Sequence, residues 1–135
     1  MDRKAFTLME MMLVVVILGV LSGLALPRLW KTVEIQNAQN AENQLLVIKT
    51  AVLLMIDSRA TPDCAPCDTA GINNRFDLNV HDQNFLYEVT CASGSSAWTI
   101  DAIRQGGTQD YTLSLDSGDP DTVTCAGDDC DFINR

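Results

Sequence analysis

Histidine is nearly absent from this chain. His81 is the single one in 135 residues, set in Val80-His81-Asp82 at what reads as a strand end or turn. There is no pair of histidines at helical spacing, no Ser/His/Asp arrangement and no glycine-rich phosphate loop. The residue sets that most hydrolases, metalloenzymes and nucleotide-binding domains need are therefore missing, and His81 reads as a surface histidine. Basic residues are also scarce. Lys and Arg number 9 against 18 Asp and Glu, a net charge of −9. That balance argues against recognition of nucleic acid phosphates or of an anionic membrane surface by charge. The deficit lies in the C-terminal part, where residues 58–135 hold 13 acidic and 4 basic side chains.

Two further absences organise the chain. Residues 11–26 contain no charge, and residues 30–57 contain neither glycine nor proline. With Phe6 as its start, the first stretch is 21 residues interrupted by Glu10 alone. As a helix it is roughly 30 Å long, about one hydrocarbon thickness. In the second stretch Ala38, Ala41, Leu45, Ile48, Val52 and Met55 recur at alternating spacings of three and four. This is one apolar stripe at helical period, with Gln36, Asn37, Asn40, Asn43 and Lys49 on the other faces. Pro27, between the two stretches, predicts a kink or locally unwound turn rather than an end. Together they predict a helix of roughly 50 residues, about 75 Å long, and a domain of this size does not enclose such a rod.

After Pro62 the period changes to two. Phe76, Leu78 and Val80 alternate, as do Phe85, Tyr87, Val89 and Cys91, then Trp98, Ile100 and Ala102, then Tyr111, Leu113 and Leu115. Turn-rich clusters at 93–96 and 105–108 separate them. The reading is an antiparallel meander of three to four strands with one face on the helix stripe, followed from Asp116 by an irregular acidic tail. The fold class is thus α+β, with a helix spine over about 7–58 packed on a small sheet.

All five cysteines, Cys64, Cys67, Cys91, Cys125 and Cys130, follow the apolar run. Several cysteines in a small acidic domain behind a membrane segment point to an oxidising compartment, and the odd count leaves at least one thiol free or paired between chains. Cys64-x-x-Cys67 has three readings: structural disulfides, a redox-active pair, and a zinc site shared with Cys125 and Cys130. The redox reading is weakened because the pair follows a helix rather than opening one. Asp116, Asp119 and Asp121 offer oxygen ligands of the kind calcium takes, though not at the spacing of an EF-hand loop.

Glu10 needs a reason. A carboxylate deep in a bilayer costs about 2.5–3.5 kcal/mol on insertion scales. An ordinary secretory signal has no use for it, although Arg3 and Lys4 followed by Gly23-Leu24-Ala25 supply the remaining parts of such a signal. Cleavage after Ala25 would release a secreted acidic binding module. Ala5-Phe6-Thr7-Leu8-Met9-Glu10 ahead of an apolar helix resembles instead the leader junction of the type IV pilin superfamily, which includes pilins and the pseudopilins of type II secretion systems. The resemblance is specific over Phe6 to about Trp30. It implies cleavage by prepilin peptidase between Ala5 and Phe6, with Ala5 standing where the family usually has glycine, and N-methylation of Phe6. It makes Glu10 the fifth residue of the mature chain, and it places Gly19 and Pro27 where the family carries a helix-softening glycine and proline. The implied layout is a cytoplasmic leader at 1–5, a transmembrane half-helix at 6–27 and an extracytoplasmic pilin-like domain at 28–135.

The implied function is structural and not enzymatic. It is that of a subunit of a homo-oligomeric type IV pilus-like filament, first inserted in the inner membrane with its C-terminal domain in the periplasm, and handled by pilus or type II secretion assembly machinery. The pseudopilin remains the alternative within the family. Glu10 would pair with the new amino terminus of its own or a neighbouring subunit, a weak glue but a strong register device. The resemblance also favours a disulfide across Cys125–Cys130; the second pair expected is Cys64–Cys67 or Cys67–Cys91. It implies no obligatory cofactor, with calcium at the Asp116, Asp119 and Asp121 loop as the candidate.

Overall fold

The computed structural model describes residues 7–58, 67–91, 96–107 and 109–132, with the backbone alone at 26–28 and 132. Ala5, Phe6 and Cys64 lie outside the described residues. The chain divides into two compact units, Met1–Glu34 and Ile35–Arg135. The elements in order are α1 (Leu8–Ser58), α2 (Thr69–Phe76), β1 (Phe85–Cys91), β2 (Trp98–Arg104), β3 (Tyr111–Asp116), β4 (Thr124–Gly127) and a 3-10 turn at Cys130–Phe132. The class is α+β, as expected. Helix α1 is 51 residues long and agrees with the predicted span of about 7–58. It passes Pro27 without the unwound turn that the proline suggested. A proline removes one i→i−4 bond and leaves the rest of the ladder to hold its neighbours helical.

In the second unit the α1 stripe is buried as its period requires. Ala38, Ala41, Leu45, Ile48 and Val52 are in the core, while Met55 is half-buried and Ile56 packs on the core in the last turn. The stripe meets one face of an antiparallel sheet in the order β1-β2-β3-β4. Val89 pairs with Ile100 and Ile100 with Leu115; Tyr87 pairs with Ala102, Ala102 with Leu113 and Leu113 with Cys125. Every second residue of β1, β2 and β3 is therefore on the helix side, and Phe85, Tyr87, Val89, Trp98, Ile100, Ala102, Tyr111, Leu113 and Leu115 are buried. Each large apolar side chain removed from water in this way stabilises the unit by about 1.5–3 kcal/mol.

Two segments differ from the expectation. The alternation of Phe76, Leu78 and Val80 does not mark a strand. Residues 69–76 form α2, because Asp68 accepts a hydrogen bond from the Gly71 N–H at 2.9 Å as N-cap, and Asp77 takes the left-handed conformation (φ 51°) at the other end. The leg that follows forms no strand, and a side chain supplies its hydrogen bonds. The Asn73 carboxamide both accepts from Val80 N and donates to Val80 O, at 2.8 Å each. The acidic tail is likewise not irregular throughout, since Thr124–Gly127 pairs with β3. As an exposed edge strand β4 has no need of apolar alternation. The opposite edge is covered. Cys67 exchanges both backbone hydrogen bonds with Val89, and the Thr69 hydroxyl accepts from Tyr87 N at 2.9 Å and donates to Tyr87 O. The free ladder of β1 is thereby closed to another strand.

Candidate assembly segment

Helix α1 begins at Leu8 because Thr7 caps it. Its Oγ1 accepts from Glu10 N at 3.3 Å, and its carbonyl accepts from Glu10 N and Met11 N. Thr7-Leu8-Met9-Glu10 is a Thr-x-x-Glu pattern, a helix-start signal legible in the sequence. Thr7 nevertheless was not among the assembly residues expected above. The cap puts the Glu10 carboxylate in the first turn, where the partial positive charge of the helix N-terminus favours an anion. The carboxylate is exposed and has no partner among the described residues. The first-turn position therefore lets Glu10 face any positive group brought to this end of the helix.

From Thr7 to Ala25 every side chain is exposed, on all faces of the helix. Leu8 and Met9 are more than four-fifths exposed, and Leu13, Val16, Leu21 and Leu24 more than half. A helix lying on the surface of its own domain would bury one stripe. This one buries none, and Leu8–Ala25 is long and apolar enough to cross a membrane. At Gly19 an added Cβ would meet nothing, so no steric demand within the chain explains that glycine. Pro27 lies within α1, two residues beyond the apolar window.

The cysteines separate into a closed pair and two others. Cys125 and Cys130 are joined, with Cα atoms 5.8 Å apart, as expected. Cys91 is disulfide-bonded and Cys67 carries a thiol. Neither Cys64–Cys67 nor Cys67–Cys91 therefore forms. The bridge to Val89 fixes the Cys67 backbone, its side chain packs against the position of Gly71 at the start of α2, and its sulfur lies 3.8 Å from Arg75 Nη1.

Two of the three candidate calcium ligands, Asp116 and Asp121, do separate work. Asp116 Oδ1 accepts from the N–H groups of Gly118 and Asp119 and shapes the turn after β3. Asp121 pairs with Lys49 of α1 at 2.9 Å, and Lys49 also donates to the Pro120 carbonyl at 2.7 Å. Asp129, further on, accepts from Asp110 N at 3.0 Å. Among the described residues no group of three or more His, Cys, Asp or Glu could hold a metal.

No curated protein and no solved structure matches the chain. Residues 1–26 match the family described as prokaryotic N-terminal methylation motif. The match covers the Ala5–Phe6 junction, Glu10, Gly19 and nearly all of the exposed apolar helix. The chain thus carries, ahead of an α+β domain of pilin-like architecture, the prepilin-type segment that is the signature of type IV pilins and pseudopilins.

Proposed function

We propose that this protein is the structural subunit of a type IV pilus-like filament. It is inserted in the inner membrane as a precursor, cut by prepilin peptidase between Ala5 and Phe6, methylated on Phe6, and polymerised through the apolar part of α1. Residues 28–135 lie outside the cytoplasm, a placement that the Cys125–Cys130 disulfide supports. The observation that carries the reading is a methylation motif laid on a helix whose apolar side chains are exposed on every face. Such a helix is stable in lipid or among other copies of itself. Moving it from lipid into a bundle exchanges one apolar surrounding for another, so assembly draws on side-chain packing and on polar pairing. Glu10, at the capped end, supplies the anion of that pairing and the methylated terminus of a neighbouring subunit supplies the cation. The pair sets how far each subunit advances along the filament. The same segment would serve a pseudopilin, which polymerises without projecting a surface fibre.

Mass spectrometry of the mature protein tests the processing, with N-methylated Phe6 as the expected first residue. A chain beginning at Leu26 would overturn the proposal in favour of a secreted module. Glu10→Ala is expected to enter the membrane normally and to abolish filaments seen by electron microscopy. Filaments of ordinary length and number from that variant would show that Glu10 does not set the register.

A further inference from the structure

A cleft of about 380 Å³ opens in the second unit, far along the chain from the apolar helix, and is lined by Asn40, Asn43, Gln44, His81, Asp82, Gln83 and Asn84. Five of these seven residues carry carboxamides. Asn40, Asn43 and Gln44 fall at i, i+3 and i+4, on one face of α1, beside the buried Ala41 and Leu45. Asparagine is among the poorer helix formers, so two of them here are not explained by helix stability. Residues 81–84 form the other wall. None of the five carboxamides makes a hydrogen bond within the protein among the described residues, in contrast to Asn73, whose carboxamide is fully used on Val80.

The loop wall is nonetheless held firmly. Val80, just before it, is clamped by Asn73. Asn84 N donates to Asp82 Oδ1 at 2.8 Å, and Asn84 O accepts from Gln105 N at 2.7 Å and from Arg104 Nη1 at 3.0 Å. The second oxygen of Asp82 accepts from the buried Tyr87 hydroxyl at 3.2 Å. The Asn84 backbone and the Asp82 carboxylate are thus committed to the protein, while the amide groups, exposed at Asn40, Asn43 and Gln83 and half-buried at Gln44 and Asn84, line the cleft with donors and acceptors open to solvent or a ligand.

The chemistry of the walls narrows the ligand. The lining carries no Lys, Arg or Glu; its ionisable side chains are His81 and Asp82, and both Asp82 oxygens already accept, from Asn84 N and the Tyr87 hydroxyl. An anionic ligand finds no Lys or Arg there, and a cation finds one carboxylate whose oxygens are already in use. No apolar side chain lines the cleft, so a peptide would bury none of its side chains usefully, and the nearest sheet edge is already occupied by Cys67 and Thr69. Carboxamides offer a donor and an acceptor side by side, which is what each hydroxyl of a sugar requires. We propose that the cleft between Asn40, Asn43 and Gln44 of α1 and residues 81–84 is a binding site for a neutral saccharide.

The test uses the full chain, 15N-labelled, in micelles of a zwitterionic detergent that contains no sugar. Maltotriose and chitotriose are titrated in turn while side-chain NH2 and backbone resonances are followed. The expected result is saturable shifts at Asn40, Asn43, Gln44, Gln83 and Asn84 with at least one of the two sugars. In an Asn43→Ala/Gln44→Ala variant of unchanged helix content the affinity should fall by about tenfold or more. Absence of shifts with both sugars overturns the proposal, as does equal affinity in the variant. Triglycine run in parallel distinguishes the remaining class of ligand: shifts at the same amides with triglycine and not with the sugars would assign the cleft to peptide main chain instead. The measurement needs no filament, so its outcome is independent of the assembly proposal.

Discussion

Gly127 has φ +133°, a conformation that side chains rarely adopt, and an added Cβ would come within 2.7 Å of Tyr111 Cα. The glycine lets β4 close against β3 where Gly127 faces Tyr111. Gly127→Ala should therefore cost about 1–3 kcal/mol, read as a lower midpoint in urea. Tyr87 makes a different demand. Burial, and then the neighbouring Asp82 carboxylate, push its hydroxyl well above the ordinary tyrosine range. Below about pH 10 the phenol is neutral in both folded and unfolded chains. Above that, the unfolded chain loses the proton first and binds fewer protons than the native one, so stability falls as pH rises. Tyr87→Phe should flatten this alkaline loss. Circular dichroism of the two proteins between neutral pH and strong alkali checks it, and identical alkaline profiles would remove Tyr87 from the account.

Elements α2 and β4 owe their existence to caps, turns and a covalent link more than to apolar pattern. The Cys125–Cys130 bridge spans a sequence separation of 5, and closing so short a loop stabilises by about 2 kcal/mol in the chain-entropy view. Cys125→Ser/Cys130→Ser should lose about that amount and free the β4 edge first, visible as faster amide exchange at 124–127. The tail is also tied to α1 through Lys49. Its partner Asp121 is 88% exposed, so the ion pair itself is worth less than about 1 kcal/mol. Lys49 is only 16% exposed and also holds the Pro120 carbonyl. Lys49→Ala should therefore destabilise more than Asp121→Ala, with little sensitivity to salt. An equal loss in the two variants, abolished by salt, would mean that the charge pair alone anchors the tail.

At the scale of the whole molecule the two units meet different requirements. Among the described residues every buried apolar side chain lies at Ala38 or beyond, within the second unit. A chain starting at Ile35 should fold, stay monomeric in water and keep the near-ultraviolet signature of Trp98 and the buried tyrosines. Loss of that signature would mean that residues 1–34 contribute to the core. The apolar helix of the first unit has no cover among the described residues, and the proposed filament assembly would supply it from lipid or from other copies.

Periodicity was enough to read α1, its buried stripe, strands β1 to β3 and the membrane-length run, because each buries one face repeatedly and the apolar residues must recur at the period of the backbone. Glu10 was legible for another reason: a carboxylate beside an apolar run is costly and therefore conspicuous. The structure alone decided that residues 69–76 turn into a helix, where the Asp68 cap and the Asn73 clamp outweigh an apparent alternation. It also decided that Cys67 keeps its thiol, that Asp116 shapes a turn and Asp121 pairs with Lys49, and that distant amides gather in one cleft. These outcomes depend on which groups arrive at hydrogen-bonding distance once the core has closed. Pairings between residues far apart in the chain leave no period along it.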